Sequence, residues 1–423
     1  MINKTLGNIF KGDKVIWMVF FFLCLISVVE VFSASSELTY KGGNYWAPAL
    51  KHIGTLIFGI FFMVVTVNIP CRFFKIVTPF LLIISVVTLL WVDFNGQSTN
   101  DAQRWIKVLW IQFQPSEIAK GAMVLATAQI LSAMQTDHGA DRNAFKYILV
   151  VCAIIIPLIM KENLSTAALL CVVIFMMMIL GRVPARQLGK LLGVIALLGV
   201  IVFSLIMTIG HDYAKDNKKE NLTEQINHKE EESGVQGKLF HRADTWRSRI
   251  DKFFDGKEVP PEDVDLDKDA QTAHANIAIA SCNIIGKGPG NSVERDFLSQ
   301  AFSDFIYAII IEETGIEGAI FVAMLYIILL FRTGRIANRC AHTFPAFLAM
   351  GLSLLLVTQA LFNMCVAVGL APVTGQPLPL ISKGGTSTLI NCIYVGAILS
   401  ISKSAAKRDS ASENLSEQVV DAA

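Results

Sequence analysis

The sequence predicts an all-α polytopic membrane protein with about ten transmembrane helices, both termini in the cytoplasm and one large extracytoplasmic loop. Of 423 residues, 53% are hydrophobic and 17% are charged, whereas soluble domains carry roughly 25% charged residues. Apolar stretches of about 20 residues, enough to cross about 30 Å of hydrocarbon, recur along the chain. Lys and Arg cluster in every second gap between these stretches, which by the positive-inside rule places both ends in the cytoplasm.

The predicted spans follow one another through short gaps, with one long exception. The first span follows KGDK and has no convincing cleavage site, so we interpret it as a retained helix rather than a signal peptide. The fifth and sixth, separated by KENLS, have the weakest boundary and could form one hairpin of short spans. The ten stretches are 15–36, 49–70, 75–94, 113–134, 146–161, 164–181, 188–210, 304–331, 343–370 and 386–403.

Composition divides the chain into five segments. The extracytoplasmic loop has a charged first half poor in aromatic residues, which is typical of mobile chains, and a second half that mixes aromatic residues, Arg and Gly. We expect the second half to fold against the membrane. The segments are a cytoplasmic start at 1–14, seven helices over 15–210, the loop at 211–303, three helices over 304–403 and a cytoplasmic tail at 404–423.

Several classes of function lack support in the composition. The formal net charge is +1, and neither a Gly-rich phosphate loop nor zinc-type cysteine spacing is visible. We therefore predict no nucleic-acid partner and no dedicated metal site. Most of the 8 cysteines lie in apolar stretches, where a Cys usually acts as a small buried hydrophobe, so a disulfide framework is not expected.

Polar residues concentrate where the fourth span begins, in NDAQRWIKVLWIQFQPSEIAKGA. Arg104 and Trp105 are predicted at the outer interface, and Pro115 opens the helix. Glu117 and Lys120 stand three residues apart and would neutralise each other as a pair. Interface anchors and a capped helix are the plain interpretation. Lys120 favours a functional one, because a cation inside an apolar span needs a partner or a water-filled cavity.

A second polar segment, GLAPVTGQPLPLISKGGTS at 369–387, precedes the last span. Irregular backbone at membrane depth is tolerated only where protein buries it or where it lines a cavity. A turn-rich plain loop is the alternative. Ser382, Lys383, Gly384 and Gly385 offer a hydroxyl, an ammonium and bare backbone N–H groups, which suit an anionic head group.

The third segment is QAFSDFIYAIIIEETG at 300–315, which places three carboxylates at or inside an apolar stretch. Helical counting from Asp304 puts Glu312 about 80° round and roughly 12 Å deeper, with Glu313 on the opposite side. We therefore predict different roles for the two Glu, each paired with a cation of another helix. Asp304, at the helix mouth, can stay hydrated and ionised and accept a proton from a substrate hydroxyl.

Together these motifs resemble the SEDS family (shape, elongation, division and sporulation) of ten-helix membrane proteins. The resemblance spans most of the chain in the right order, and includes GKGPGNS before DFIYAIIIEETG. It implies a peptidoglycan glycosyltransferase of the bacterial inner membrane that polymerises lipid II into glycan strands on the extracytoplasmic side. It also implies that Asp304, in SDF where the family has TDF, is catalytic. Asp296, Glu312 and Glu313 are expected to support it.

The chain departs from the family pattern at three places. KENLSTA at 161–167 stands where many members have QPDLGTA, and Lys383 replaces the Tyr of SYGG. Ser299 and Gln300 replace the Pro and Glu of LPE. We favour the division branch, typified by FtsW, over the elongation branch, typified by RodA, because GPGNSV and DFIYAIIIEETG look more like the former.

The implied reaction joins the 4-hydroxyl of one lipid-linked sugar to the anomeric carbon of another, and a polyprenyl diphosphate leaves. Asp304 as general base would contribute about 10² to 10⁴-fold. The leaving diphosphate calls for fixed cations or N–H donors. A divalent cation, Mg or Mn, could share this duty, although no ligand spacing demands one. The expected substrate-binding residues are Arg104, Glu117, Lys120, Ser382, Lys383, Gly384 and Gly385.

The resemblance also implies partners, and the residues leave two other functions open. A class B penicillin-binding protein would crosslink the product, and other membrane proteins of the division complex would assemble with the chain. A lipid II flippase would use polar residues near the membrane midplane as a path, and Glu312, Glu313 and Lys120 keep that alternative open. A non-catalytic division scaffold would make Asp304 dispensable.

Overall fold

The structure is a computed structural model in which almost every described residue belongs to a helix or a short connection. Much of the predicted extracytoplasmic loop, residues 211–269, lies outside the described residues, and so does the side chain of Arg104. The described residues are 11–34, 47–95, 97–99, 102–108, 111–209, 270–282, 284–298 and 301–421.

A helix occupies each of the ten stretches predicted to span the membrane, and the described part of the loop contains one more. The helices are α1 (Lys14–Ala34), α2 (Ala47–Asn68), α3 (Cys71–Asn95), α4 (Pro115–Ala133), α5 (Arg142–Glu162), α6 (Leu164–Leu180), α7 (Ala185–Ile209), α8 (Ala270–Ala280), α9 (Ile306–Arg339), α10 (Thr343–Ala367) and α11 (Thr386–Asp421).

Seven helices in the described part of the chain are long and apolar enough to cross a membrane, namely α1, α2, α3, α5, α9, α10 and α11. The chain is therefore a multi-pass membrane protein. The count of ten spans and the cytoplasmic placement of the termini stay predictions. The five-segment division of the chain does so too.

Among the described residues, two small antiparallel sheets lie between helices. The first has the order β1 (Gln97–Thr99), β2 (Ala102–Val108) and β3 (Ile111–Phe113), and β3 ends two residues before α4 begins. The second pairs β4 (Gln135–Thr136) with β5 (Gly139–Ala140) between α4 and α5. The sequence analysis assigned these residues to connections or span ends and did not predict strands.

The boundary within KENLSTA is a helix cap. Helix α5 ends at Glu162 and α6 begins at Leu164. Between them, the side chain of Asn163 accepts hydrogen bonds from the backbone N–H groups of Ser165 (3.0 Å) and Thr166 (3.3 Å). Asn is a favoured N-cap because its oxygen satisfies N–H groups that lack a partner within the helix. The fifth and sixth stretches are therefore two separate helices, and they pack against each other.

Helix α9 is interrupted at Gly315, where φ is +74° and ψ is −171°. A short helical piece, 306–314, precedes the break, and a long piece, 316–339, follows it. A Cβ at Gly315 would lie 2.1 Å from the backbone oxygen of Ile284. Only glycine fits, because φ is positive and the backbone of Ile284 lies against the position.

Helices α1 and α9 pack side by side, and polar contacts join them at two widely separated points. The hydroxyl of Ser33 donates to the carboxylate of Glu313. Near the other end of α1, Arg332 Nε lies 2.7 Å from Asp13 Oδ2. Along each helix about 20 residues separate the two contacts, which corresponds to about 30 Å, close to the thickness of a bilayer's hydrocarbon core.

The same two contacts show where Glu313 lies along α1. Glu313 lies level with Ser33, one residue before the end of α1 at Ala34. The 304–331 stretch is thus not a single straight span: its first part is the short piece of α9, which stays at the Ala34 end of α1. The short piece that carries Glu312 and Glu313 ends at the break at Gly315, and their depth relative to Asp304 stays a prediction.

Candidate active site

Asp304 lies in a turn immediately before α9, and the backbone around it is held by buried partners. Three successive carbonyl oxygens each accept one hydrogen bond from outside the turn. The bonds run from Lys383 N–H to Phe302 O (3.0 Å), from the Ser382 hydroxyl to Ser303 O (2.6 Å) and from the Asn363 amide to Asp304 O (2.8 Å).

The Asp304 carboxylate itself is partly exposed, as predicted for the helix mouth. Its Oδ1 accepts a hydrogen bond from the hydroxyl of the neighbouring Ser303 at 3.0 Å. A rigid backbone and a partly exposed carboxylate are what a general base requires, because proton transfer depends on a fixed approach geometry. Asp304 therefore has the position expected of such a base.

Residues 371–385, which we call the proline segment, enter the helix bundle between α10 and α11. Side chains of three helices satisfy four of its backbone oxygens, as buried irregular backbone requires. Protein buries much of this segment, which is one of the possibilities that the sequence left open. The bonds are Asn363 Nδ2 to Gln376 O (2.7 Å), Gln359 Nε2 to Pro377 O (3.0 Å), the Tyr326 hydroxyl to Pro379 O and the Ser27 hydroxyl to Ile381 O (2.7 Å).

The proline segment reaches well below the level of Glu313. Tyr326 stands 11 residues beyond Gly315 along α9, which corresponds to about 16 Å along the helix. Its hydroxyl holds Pro379. The segment then returns toward Asp304, because Lys383 binds the backbone of Phe302.

The end of the proline segment gathers donors suited to an anion. Lys383 Nζ lies 4.9 Å from the centre of the Phe302 ring. Gly385 has a φ of +53°, and within the described residues the backbone N–H groups of Gly384 and Gly385 have no hydrogen-bond acceptor. The buried hydroxyl of Thr386, at the start of α11, also lacks a hydrogen-bond partner there.

Lys51, on α2, is a second cation near Lys383 that the sequence analysis missed. Partial burial lowers the pKa of Lys383, and the positive charge of Lys51 lowers it further. Two lysines close enough to repel each other are consistent with an anion site, because an anion would relieve both effects. The sequence held one signal: Lys51 is a cation in the first turns of α2, inside the apolar stretch 49–70.

The predicted pairing of Glu117 with Lys120 is present, with Oε1 and Nζ 2.8 Å apart. Both side chains are almost completely buried, and Lys120 Nζ also donates to Gln359 Oε1 at 2.8 Å. Gln359 in turn holds Pro377. The position of the pair does not match the predicted direct substrate contact, because no part of Lys120 reaches the surface. The pair lies beneath the proline segment and supports it.

Glu312 and Glu313 bind one and the same loop, so the prediction that they have different roles is wrong. The loop is GKGPGNS, residues 286–292, with the two residues that follow it. Glu312 accepts from Lys287 Nζ (2.6 Å) and from the N–H of Val293 (3.1 Å), and Glu313 accepts from the N–H of Gly290 (2.9 Å). Helical counting failed because the loop wraps around the end of the short helix and meets both faces.

The same loop also caps the C-terminal end of the short helix with backbone hydrogen bonds. Lys287 N–H donates to Glu312 O at 3.0 Å, and Gly288 N–H donates to Glu313 O at 2.8 Å. These bonds satisfy carbonyls that a helix end otherwise leaves unpaired. GKGPGNS and EETG, which are separate in the sequence, therefore form one structural unit.

The remaining predicted site residues are Asp296 and Arg104. Asp296 is exposed in a short 3₁₀ turn, Glu294–Asp296, with its Oδ1 3.8 Å from Arg295 Nε. The backbone of Arg104 lies in β2, and its role stays a prediction. Among the described residues, no group of three or more His, Cys, Asp or Glu side chains is arranged to hold a metal ion, and the need for a divalent cation stays open.

Comparison with known proteins decides the family. A model of the FtsW, RodA and SpoVE proteins, described as "Cell cycle protein", matches residues 13–407. The chain belongs to this family. The resemblance drawn from the motifs is thereby confirmed.

Members of the FtsW, RodA and SpoVE family from other bacteria align over most of their length. The peptidoglycan glycosyltransferase MrdB of Escherichia coli K12 is 27% identical over 401 residues, 94% of this chain and 95% of the relative. The probable peptidoglycan glycosyltransferase FtsW of Halomonas elongata is 28% identical over 387 residues, 90% of this chain and 87% of the relative.

Solved structures of similar fold cover nearly all of this family member. One, from work titled "Structural coordination of polymerization and crosslinking by a peptidoglycan synthase complex", has a TM-score of 0.69 at 19% identity and covers 93% of this chain and 98% of its own. The rod shape determining protein RodA of Thermus thermophilus has a TM-score of 0.60 at 19% identity, with 93% and 97% covered. At this identity the likeness shows the fold alone.

Proposed function

We propose that this chain is a peptidoglycan glycosyltransferase that polymerises lipid II into glycan strands, with Asp304 as its general base. The observation that carries the proposal is the partly exposed Asp304 carboxylate on a backbone fixed by Ser382, Lys383 and Asn363. The names of the E. coli and Halomonas relatives, both peptidoglycan glycosyltransferases, support it.

In this reaction the Asp304 carboxylate takes the proton of the acceptor's 4-hydroxyl. The oxygen forms a bond to the anomeric carbon of the donor sugar, and the bond from that carbon to the diphosphate oxygen breaks. The polyprenyl diphosphate leaves with the bonding electron pair. Lys383, the free N–H groups of Gly384 and Gly385 and the Arg104 side chain are proposed to stabilise the negative charge that develops.

Three finer points belong to the same proposal. The active site faces the extracytoplasmic side of the bacterial inner membrane, as the distribution of Lys and Arg predicts. The chain works in septal synthesis. The resemblance of GPGNSV to the division branch supports this role. Its partner is a class B penicillin-binding protein, and the similarity to a chain from a peptidoglycan synthase complex supports such an assembly.

The flippase alternative loses its main support. It required ionisable residues near the midplane that are available to a passing substrate. Glu312 and Glu313 instead bind the GKGPGNS loop at the end of α1, and Lys120 is fully buried against Glu117 and Gln359. These charges are satisfied within the protein.

The test is polymerisation of purified lipid II by the purified chain, with and without its cognate class B penicillin-binding protein. We expect Asp304→Asn to lower turnover at least 10²-fold, because the amide cannot accept the hydroxyl proton. The matched control is Glu317→Gln, which removes an exposed carboxylate from α9. Normal strand synthesis by a folded Asp304→Asn variant would remove Asp304 from the role. Lipid II transport without polymer would instead favour a flippase.

A further inference from the structure

One buried amide connects the two segments that form the candidate active site. Asn363 lies on α10, one turn before its end at Ala367, and is 1% exposed. Its single Nδ2 donates to Asp304 O at 2.8 Å and to Gln376 O at 2.7 Å. A side-chain amide has two N–H protons, so both are used.

We infer that Asn363 is a positioning residue, which fixes the turn carrying Asp304 relative to the proline segment and thereby sets turnover rather than substrate affinity. The inference rests on the proposed function. In this role Asn363 does not contact the substrate. Asn363 acts through the backbone of Asp304.

The other two bonds to the turn cannot replace it. Ser382 and Lys383, which bind the carbonyls of Ser303 and Phe302, are themselves part of the proline segment. They join the two irregular segments to each other. Asn363 alone of these three donors stands on a helix of the core, so it holds both segments to a rigid element.

The carbonyl oxygen of the Asn363 side chain shows that the residue acts through its N–H donors. Its Oδ1 is buried and accepts no hydrogen bond from the described residues. The residue therefore contributes its two donors. Aspartate, which has nearly the same shape but only acceptors when ionised, should fail as completely as alanine. Loss of the donors removes this partner from the carbonyl of Asp304 and from the buried carbonyl of Gln376, and an unpaired buried acceptor is costly.

The expected kinetic effect is specific. Displacement of a catalytic group by about 1 Å can cost about 10²-fold in rate. We expect Asn363→Ala and Asn363→Asp to lower kcat by roughly 10²-fold and to leave KM for lipid II within about threefold, because Lys383 and the free N–H groups of Gly384 and Gly385 remain. A role in substrate binding would raise KM instead.

The experiment compares both variants with Ser353→Ala, which removes a buried hydroxyl without a hydrogen-bond partner in the described chain, on the same helix. Steady-state polymerisation gives kcat and KM on protein that elutes as the folded species. Hydrogen exchange at the amides of Ser382 and Lys383 gives a readout that needs no activity. We expect faster exchange there in the Asn363 variants and wild-type behaviour in Ser353→Ala.

Two results would overturn the inference: wild-type kcat in either folded Asn363 variant, or a raised KM with kcat unchanged. If neither variant folds, Asn363→Gln, which keeps both donors on a longer side chain, should fold and show an intermediate kcat, and wild-type kcat would again count against the inference. An inactive wild-type chain would instead contradict the proposed function. Hydrogen exchange would still decide whether Asn363 holds the two segments.

Discussion

Lys383 has two neighbours that act on its charge in different ways. Its ammonium lies 4.9 Å from the Phe302 ring, where the negative face of the ring attracts it. Partial burial lowers the pKa of Lys383, and repulsion from Lys51 lowers it further. Since the folded state favours loss of the proton, Lys383 becomes neutral at a lower pH than a free lysine does.

This shift predicts an alkaline limit to activity. If the charge of Lys383 stabilises the leaving diphosphate, turnover should fall as pH rises through its lowered pKa. We expect Lys383→Arg to be slower near neutral pH, because guanidinium geometry differs, but to retain its own maximal rate to higher pH, because arginine stays charged. The pH dependence of lipid II polymerisation measures this.

The control for the pH experiment is Lys146→Arg, a like substitution at an exposed lysine on α5. Its pH profile should match that of the wild type. If Lys383→Arg declined at the same pH as the wild type, the limit would belong to another group.

Some of these residues could be predicted from the sequence, because local spacing determines their contacts. The three-residue spacing of Glu117 and Lys120 predicted their pairing correctly. Asn363 and Gln359 were missed, although two amides four residues apart in an apolar helix were a readable signal. Lys51 was missed because only the folded chain brings it near Lys383.

Among the elements, the short helix before Gly315 depends most on a single backbone conformation. At Gly315 φ is +74°, and an added Cβ would lie 2.1 Å from Ile284 O and 2.6 Å from Gly286 N. From the sequence, 304–331 was predicted as one uninterrupted span. The break was not predicted, since a contact with a distant loop leaves little trace in local periodicity.

We expect Gly315→Ala to destabilise the protein by at least about 1–3 kcal/mol, because it combines a disfavoured φ with a clash against backbone. Thermal unfolding in detergent measures the loss. Faster proteolysis within 284–298 should accompany it, since the loop binds the end of the short helix.

Gly193→Ala, on α7, is the matched control. An added Cβ there meets nothing within 4 Å, and alanine in a helix interior is favoured over glycine by roughly 0.5–1 kcal/mol. Equal stability of the two variants would show that Gly315 does not require its special conformation.

At the scale of the whole molecule, two native cysteines test the orientation in the membrane. Cys282 follows α8 near the GKGPGNS loop, and Cys340 follows the far end of α9; both are partly exposed free thiols. In variants that keep one of the two and lack the other native cysteines, an impermeant thiol reagent added to intact spheroplasts should label Cys282 and spare Cys340. The reverse pattern would place Asp304 in the cytoplasm and contradict the proposed function.

The helix content and order of the bundle could be predicted, because apolar stretches of membrane length reveal it directly. The path of the proline segment could not. Its place depends on single hydroxyls and amides of α1, α9 and α10, such as Ser27 and Tyr326, that meet it only in the folded chain.

The two contacts between α1 and α9, at Ser33 with Glu313 and at Asp13 with Arg332, also fix how the protein matches its lipid surroundings. Two contacts about 30 Å apart along the helices join α1 to α9, so neither helix can tilt alone to suit a thinner or thicker bilayer. Lipids around this pair must adjust their own thickness instead. Because the piece of α9 that follows the Asp304 turn is held to α1 through Glu313, the height of this turn is tied to the same pair of helices.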